Sequence, residues 1–217
     1  MKLSKDTVTL LKNFATINGN LLIKPGNTIM TIAADKTIYA AATVTESFPT
    51  EFGIYDLAEF LGAISLFEDC DLTFNATHVE IKSGKNVLKF LSANSNVLTF
   101  PAKKITFPAA EIEFDLTAAQ LNLIQRTSAI LRANDIAIVG DSATGKLTLE
   151  VKDKSNSASN NYVLELGETD KDFTAYMKAS SLKCMPYDYK VTISKKAAKF
   201  AYNDLEYVCV LESDSVF

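Results

Sequence analysis

Residues 4–18, SKDTVTLLKNFATIN, decide how this chain is read. At 100° per residue, Val8, Leu10, Leu11, Phe14 and Ala15 gather on one side of a helix. Lys5, Thr9, Lys12, Asn13 and Thr16 gather on the other. Ser4 is placed to cap the N-terminus, Asp6 lies in the first turn, and Asn18-Gly19 ends the segment. One face therefore packs on something apolar, and the opposite face offers two cations, one above the other.

Strand patterns follow. Residues 21–23, 28–33 and 37–43 read as a meander with turns at Pro25-Gly26-Asn27 and Asp35-Lys36, broken at Phe48-Pro49. Residues 55–67 return to helical spacing, with Leu57, Phe60, Leu61 and Ile64 on one side. Strands are expected again at 72–75, 78–82 and 87–91, with a hairpin turn at 83–86.

The order then repeats. Residues 117–132, TAAQLNLIQRTSAILR, form a second amphipathic pattern that starts 113 residues after the first. Thr117 and Gln120 have capping-box spacing. Strands are expected at 135–139, 146–151 and 162–166, a polar loop at 154–161, a short helix at 175–185, and strands at 189–193, 198–202 and 207–211. Residues 99–113, with Pro101, Pro108 and the pair Lys103-Lys104, read as an extended connector. The expected class is α+β, with two similar domains, 1–104 and 105–217, each placing two helices on antiparallel sheets. Such layers leave sheet edges open, and pairing with further copies in a closed ring would cover them.

Composition narrows the function. A chain of 217 residues with 47% hydrophobic content suits one large domain or two of about 100 residues. No apolar run approaches the roughly 20 residues a membrane span needs, and MKLSKDTVTLL lacks a signal-peptide pattern. Three scattered cysteines, Cys70, Cys184 and Cys209, point to a reducing compartment, the cytosol. The net charge is −4, yet the expected helices with Lys2 hold seven cations against three acids. The rest of the chain carries an excess of eight acids. A positive helical layer on a negative body admits a polyanion at one surface and repels it elsewhere. The bland alternative is that helices simply favour Lys and Arg.

Enzyme chemistry finds little support. Gly140 to Lys146, GDSATGK, has the spacing of a phosphate-binding loop. Leu147 stands where the Mg²⁺-binding hydroxyl belongs, and 146–152 alternates like a strand rather than opening a helix. The expected structure is a hairpin turn; a nucleotide-binding enzyme is the alternative. His78 is the single histidine, so no His pair exists for a metal, nor an evident Ser-His or Cys-His pair. No cofactor is expected. Ile105, Phe107 and the doubly apolar run 207–211 suggest an exposed groove for a partner peptide, or a connector tucked onto its own sheet.

Several stretches then acquire a common meaning. MKLSKDTVTLLKNFATIN, Ile54 to Gly62, Arg126-Thr-Ser128, Asp135 to Ile138, Ala197 to Phe200 and Tyr207 to Ser215 together resemble the DNA polymerase sliding clamps of T4-like bacteriophages. The resemblance runs nearly the whole length and is densest at the two ends; 70–100 and 140–175 match less. It implies a homotrimeric ring with helices lining a central hole and sheets forming the outer wall. Duplex DNA would pass through without sequence-specific contacts. The resemblance further implies a replicative DNA polymerase as partner, an ATP-dependent clamp loader, late-transcription factors, no catalytic activity, and the cytoplasm of an infected bacterial host. A monomeric polymerase accessory protein that holds DNA by charge on an open face is the other reading. By position, Lys5, Lys12, Arg126 and Lys183 are expected to face DNA, together with Lys2, Arg132 and Lys178. Ile32, Ile38, Ile105, Phe107, Val208 and Val210 are expected to line the groove for partner tails.

Overall fold

The apolar stripe of residues 4–18 forms the helix it predicts. In the computed structural model, which describes residues 1–217, α1 spans Lys5–Ile17 and buries Thr7, Leu10, Leu11, Phe14 and Ile17. The Ser4 hydroxyl accepts from Thr7 N, as a cap should. The chain divides into two compact units, Met1–Ile105 and Thr106–Phe217.

In the first unit, strands β1 (Leu21–Ile23), β2 (Gly26–Ile32), β3 (Ile38–Phe48) and β4 (Phe52–Ile54) follow α1. β2 and β3 form the expected hairpin. β1 does not join it as the third strand of a meander; it pairs antiparallel with β4, Leu22 opposite Gly53. Pro25 and Gly26, at φ 112°, turn the chain away after β1, and a wholly buried three-residue strand finds its partner in the equally buried β4. Gly53 is required there, because a Cβ would lie 2.3 Å from Ala93 O. Helix α2 (Leu57–Ser65) is capped by the Asp56 carboxylate, which accepts from Ala58 N and Glu59 N, and it packs against α1. β5 (Asp71–Phe74), β6 (His78–Ser83) and β7 (Asn86–Leu91) make a three-stranded antiparallel sheet. Phe48, Phe74, Phe52, Phe60 and Phe90 run through the core in edge-on or tilted ring contacts of 5.2–6.2 Å.

The second unit begins with β8 (Ile112–Leu116), whose first residues fall inside the expected connector 99–113. Helix α3 (Ala118–Leu131) carries the predicted capping box between Thr117 and Gln120. Then β9 (Asp135–Asp141), β10 (Lys146–Lys152), β11 (Tyr162–Glu168) and β12 (Phe173–Lys178) form an antiparallel sheet in the order β11-β10-β9-β12. β13 (Tyr189–Ile193), β14 (Ala197–Tyr202) and β15 (Leu205–Val210) continue from β8 through antiparallel pairs β8-β13, β13-β14 and β14-β15.

The helix expected at 175–185 is absent. Residues 173–178 are strand β12, and only a single 3-10 turn, Ala179–Ser181, follows. Phe173, Ala175 and Met177 are buried while their neighbours are not, a period of two rather than 3.6. Ten residues separate β12 from β13, against sixteen between β4 and β5 in the first unit. The carbonyls of that shorter link are satisfied by side chains: Gln125 Nε2 donates to Leu182 O (2.9 Å) and Cys184 O (3.3 Å), and Tyr189 OH donates to Met185 O (2.8 Å). The second unit therefore has one helix where two were expected.

Candidate nucleic-acid interface

On α1, the outward arc keeps the cations the spacing assigned to it. Lys5, Thr9, Lys12 and Thr16 are exposed, and neither lysine has an acidic partner. Seven residues put the Cα atoms of the two lysines about 10 Å apart along the axis. Lys5 and Lys12 border a groove of about 400 Å³ between α1 and the segment after α2. On α3, Asn122, Arg126 and Ala129 are exposed, and Leu121 and Ile124 are buried. Arg126 has no ion-pair partner. Arg132 ends α3 in the left-handed conformation, φ 51°, with its side chain exposed.

The other predicted cations are placed differently. Lys2 is engaged by Asp69, Nζ to Oδ2 2.6 Å, which holds the lysine above its ordinary pKa. Lys178, at the end of a strand, bonds Asp135 (2.8 Å) and Glu212 (3.0 Å), and both interactions raise its pKa. Lys183 is half-buried just after the 3-10 turn. The surface of α2 is nearly uncharged; Asp56 is spent as its cap, and Glu59 is its one exposed acid.

Two strands stand apart from the rest. β7 and β11 are the only strands with no buried residue, and each lies at the edge of its sheet. Val87 (57% exposed), Leu91 (68%) and Val163 (51%) project from them. The opposite edge of each sheet is covered: Met1 exchanges two hydrogen bonds with Leu72 of β5, and Val216 exchanges two with Thr174 of β12. Sequence reasoning alone missed these residues, although both strands carry the signal. Val87, Leu88, Phe90 and Leu91 make both faces of β7 apolar, and in β11 Val163 adds an apolar side chain opposite the face of Tyr162, Leu164 and Leu166.

Comparison with known proteins gives the family. Residues 4–98 match the family profile described as DNA polymerase processivity factor, and residues 113–213 match that described as gp45 sliding clamp, C terminal. The sliding clamp of Vibrio phage KVP40 is 34% identical over 220 residues, covering 98% of this chain and 100% of that protein. The sliding clamp of Enterobacteria phage T4 is 34% identical over 226 residues, covering 99% and 98%. The chain belongs to the phage sliding-clamp family. Among solved structures, proliferating cellular nuclear antigen from Entamoeba histolytica superposes with a TM-score of 0.68 at 15% identity, over 95% of this chain and 94% of that one. The DNA polymerase III β subunit of Pseudomonas aeruginosa superposes with a TM-score of 0.70 at 11% identity; this chain spans 65% of that longer one. At such identities these two show the shared fold.

Sliding clamps are non-catalytic polymerase accessory proteins, and the phosphate-loop spacing at 140–146 has a structural explanation in this one. It is the hairpin between β9 and β10, Lys146 paired with Asp141. Gly140 is needed because a Cβ would lie 2.4 Å from the Phe173 ring. Gly145 takes φ 70° in the turn, and the Asp141 carboxylate, not a phosphate, accepts from Ala143 N and Thr144 N. Lys146 is paired with Glu165 at 2.8 Å. Of the residues expected to form the clamp's peptide groove, Ile38 and Val208 are buried at 3% and 7% exposure, so their side chains offer no open surface. Ile32 and Phe107 are half-buried, and Ile105 and Val210 are exposed. In the second unit, Lys199 Nζ sits 5.0 Å from the Phe107 ring centroid. Val208 is the cross-strand partner of Lys199, so Phe107, Val208 and Val210 belong to one face of the β14-β15 pair.

Proposed function

We propose that this sliding clamp joins further copies of itself, three in all, into a ring around duplex DNA and tethers the replicative DNA polymerase there. The observation that carries the ring is the pair of edge strands with no fully buried residue, β7 in one unit and β11 in the other. An exposed apolar edge left unpaired is an aggregation hazard that folded proteins avoid. Because the two edges belong to different units, joining β7 of one copy to β11 of the next is head-to-tail and leaves the same pair of edges available until the ring closes. The strands are of similar length, six and seven residues. Lys89 on β7 and Glu165 and Glu168 on β11 favour this pairing over either strand pairing with itself.

In this reading Lys5, Lys12, Arg126 and Arg132 hold the phosphate backbone loosely through water, which is compatible with sliding. Lys183 is assigned to DNA as well; Lys2 and Lys178 serve their ion pairs first. Phe107 and Val210 are assigned to partner tails. An ATP-dependent loader opens the ring, late-transcription factors share its outer face, and the site of action is the cytoplasm of the infected bacterium.

The test is solution mass by light scattering over a concentration series, followed by retention on DNA. A species about three times the 23.7 kDa chain, which after loading stays on closed circular DNA and runs off linear DNA, is expected. A mass of one chain at every concentration, with equal retention on both DNAs, would replace the ring by the open, charge-held monomer.

A further inference from the structure

Residues 212–217, after β15, pair with β12. Thr174 N donates to Val216 O and Val216 N to Thr174 O, both at 2.9 Å. Glu212 N donates to Tyr176 O at 2.8 Å, and Tyr176 N donates to Ser215 Oγ at 3.0 Å. The N–H and C=O groups that Thr174 and Tyr176 turn away from β9 are thus all engaged by residues 212–217. Side chains add to this backbone pairing. Lys154 Nζ contacts Glu212 Oε2 (2.5 Å) and Asp214 Oδ2 (2.7 Å) and lies 4.9 Å from the Tyr176 ring centroid. The Phe217 ring stacks on Phe173, centroids 5.9 Å apart and planes 8° apart.

We infer that the β12 edge is a strand-addition site for a short extended peptide with acids at its first and third positions and an aromatic ring at its sixth, and that residues 212–217 are its resident occupant. Backbone pairing supplies affinity, while Lys154 and Phe173 read the side chains. Tethering gives the chain's own segment a high effective concentration, so a free peptide competes poorly while that segment is in place. The consequence for assembly rests on the ring reading. With 212–217 seated, the sheet β11-β10-β9-β12 has one open edge; with the segment released it has two, and head-to-tail growth can then proceed without closing.

The probe is a labelled peptide of the 212–217 sequence, ESDSVF, titrated by fluorescence anisotropy. The partners are the full chain and a chain stopped after Leu211, with folding checked by circular dichroism. The stopped chain is expected to bind the peptide at least about tenfold more tightly than the full chain, and a peptide ending in Ala instead of Phe about tenfold more weakly, because one ring stack is missing. Should the stopped chain fail to fold, the full-length triple variant Glu212→Ala, Asp214→Ala, Phe217→Ala serves, since its loosened segment should admit the peptide. Equal binding by full-length and altered chains, or none by a folded altered chain, overturns the site. Light scattering on the same samples reads the assembly role. Species larger than those of the full chain, reversed by adding peptide, are expected, and an unchanged mass overturns that role. If the full chain is itself a monomer the ring reading fails, and the peptide titration still decides the site.

Discussion

Lys178 Nζ lies 2.8 Å from Oδ1 of Asp135, a carboxylate only 3% exposed that also accepts from Lys154 N at 3.1 Å. A buried carboxylate needs its partner more than DNA needs one additional cation. Lys178→Met should therefore destabilise the protein by about 1–2 kcal/mol, a figure reduced for the half-exposed lysine. It should change DNA retention little. Urea unfolding beside a DNA-retention assay checks this; a large loss of retention at unchanged stability would return Lys178 to the DNA surface.

Lys5 and Lys12 present the reverse case, exposed and without acidic partners. Lys5→Ala with Lys12→Ala should leave stability within about 0.5 kcal/mol of the parent. The slope of log retention constant against log salt should become shallower by about one for each phosphate the variant no longer neutralises. An unchanged slope would remove α1 from the DNA surface.

Leu91→Asp and Val163→Asp each place a charge on a bare edge strand. Both residues are more than half exposed, so the fold should tolerate the change while the assembly dissociates to single chains. Light scattering with circular dichroism reads both parts. A mass equal to the parent's would exclude that strand from the interface.

Gly140→Ala should cost about 1–3 kcal/mol, because its Cβ would meet both the Phe173 ring and Lys171 O at 2.5 Å or less. Lys146→Ala, by contrast, removes only an exposed pair with Glu165 and should be nearly neutral. Thermal unfolding separates the two. Calorimetric titration with ATP should show no binding to the parent; binding that disappears in Lys146→Ala would revive the nucleotide reading.

Glu46 ties β3 to the start of α1. Burial raises its pKa, but hydrogen bonds from Ser4 N, donated to Oε1, and from Thr7 Oγ1, at 2.6 Å to Oε2, outweigh that and hold it below 4.5. A depressed carboxylate stabilises the fold fully above its unfolded value and loses that contribution as pH falls through the folded value. Glu46→Gln should be less stable at pH 7 by about 1–2 kcal/mol, with the gap to the parent closing below pH 4.5. Denaturation midpoints at pH 7 and pH 3 check the sign; a gap that widens in acid would contradict it.

Much of the fold is legible one segment at a time. Thr117 and Gln120 announce α3 because a capping box is a contact between residues three apart. The stripe of Leu10, Leu11 and Phe14 announces α1 because a helix repeats locally. Residues 173–178 depart from the expected helix, and Phe173, Ala175 and Met177 do alternate in the sequence. The duplicated order nonetheless sets them opposite α2 of the first half, which is what suggests a helix there. The inserted length that α2 needs is missing, and side chains of Gln125 and Tyr189 take up the carbonyls.

The sequence by itself determined the α+β class, the leading helices of the two halves, their caps and apolar faces, and the exposed lysines of α1. Each follows from periods of two or 3.6 and from hydrogen bonds a few residues long. Only the tertiary structure decided that β1 pairs with β4, that Lys178 answers to Asp135 and Lys2 to Asp69, and that Met1 and Val216 cover β5 and β12 while β7 and β11 stay bare. Those outcomes join residues 29 to 71 positions apart. Which of many distant partners wins is set by burial and backbone satisfaction in the assembled chain, quantities that no local pattern carries.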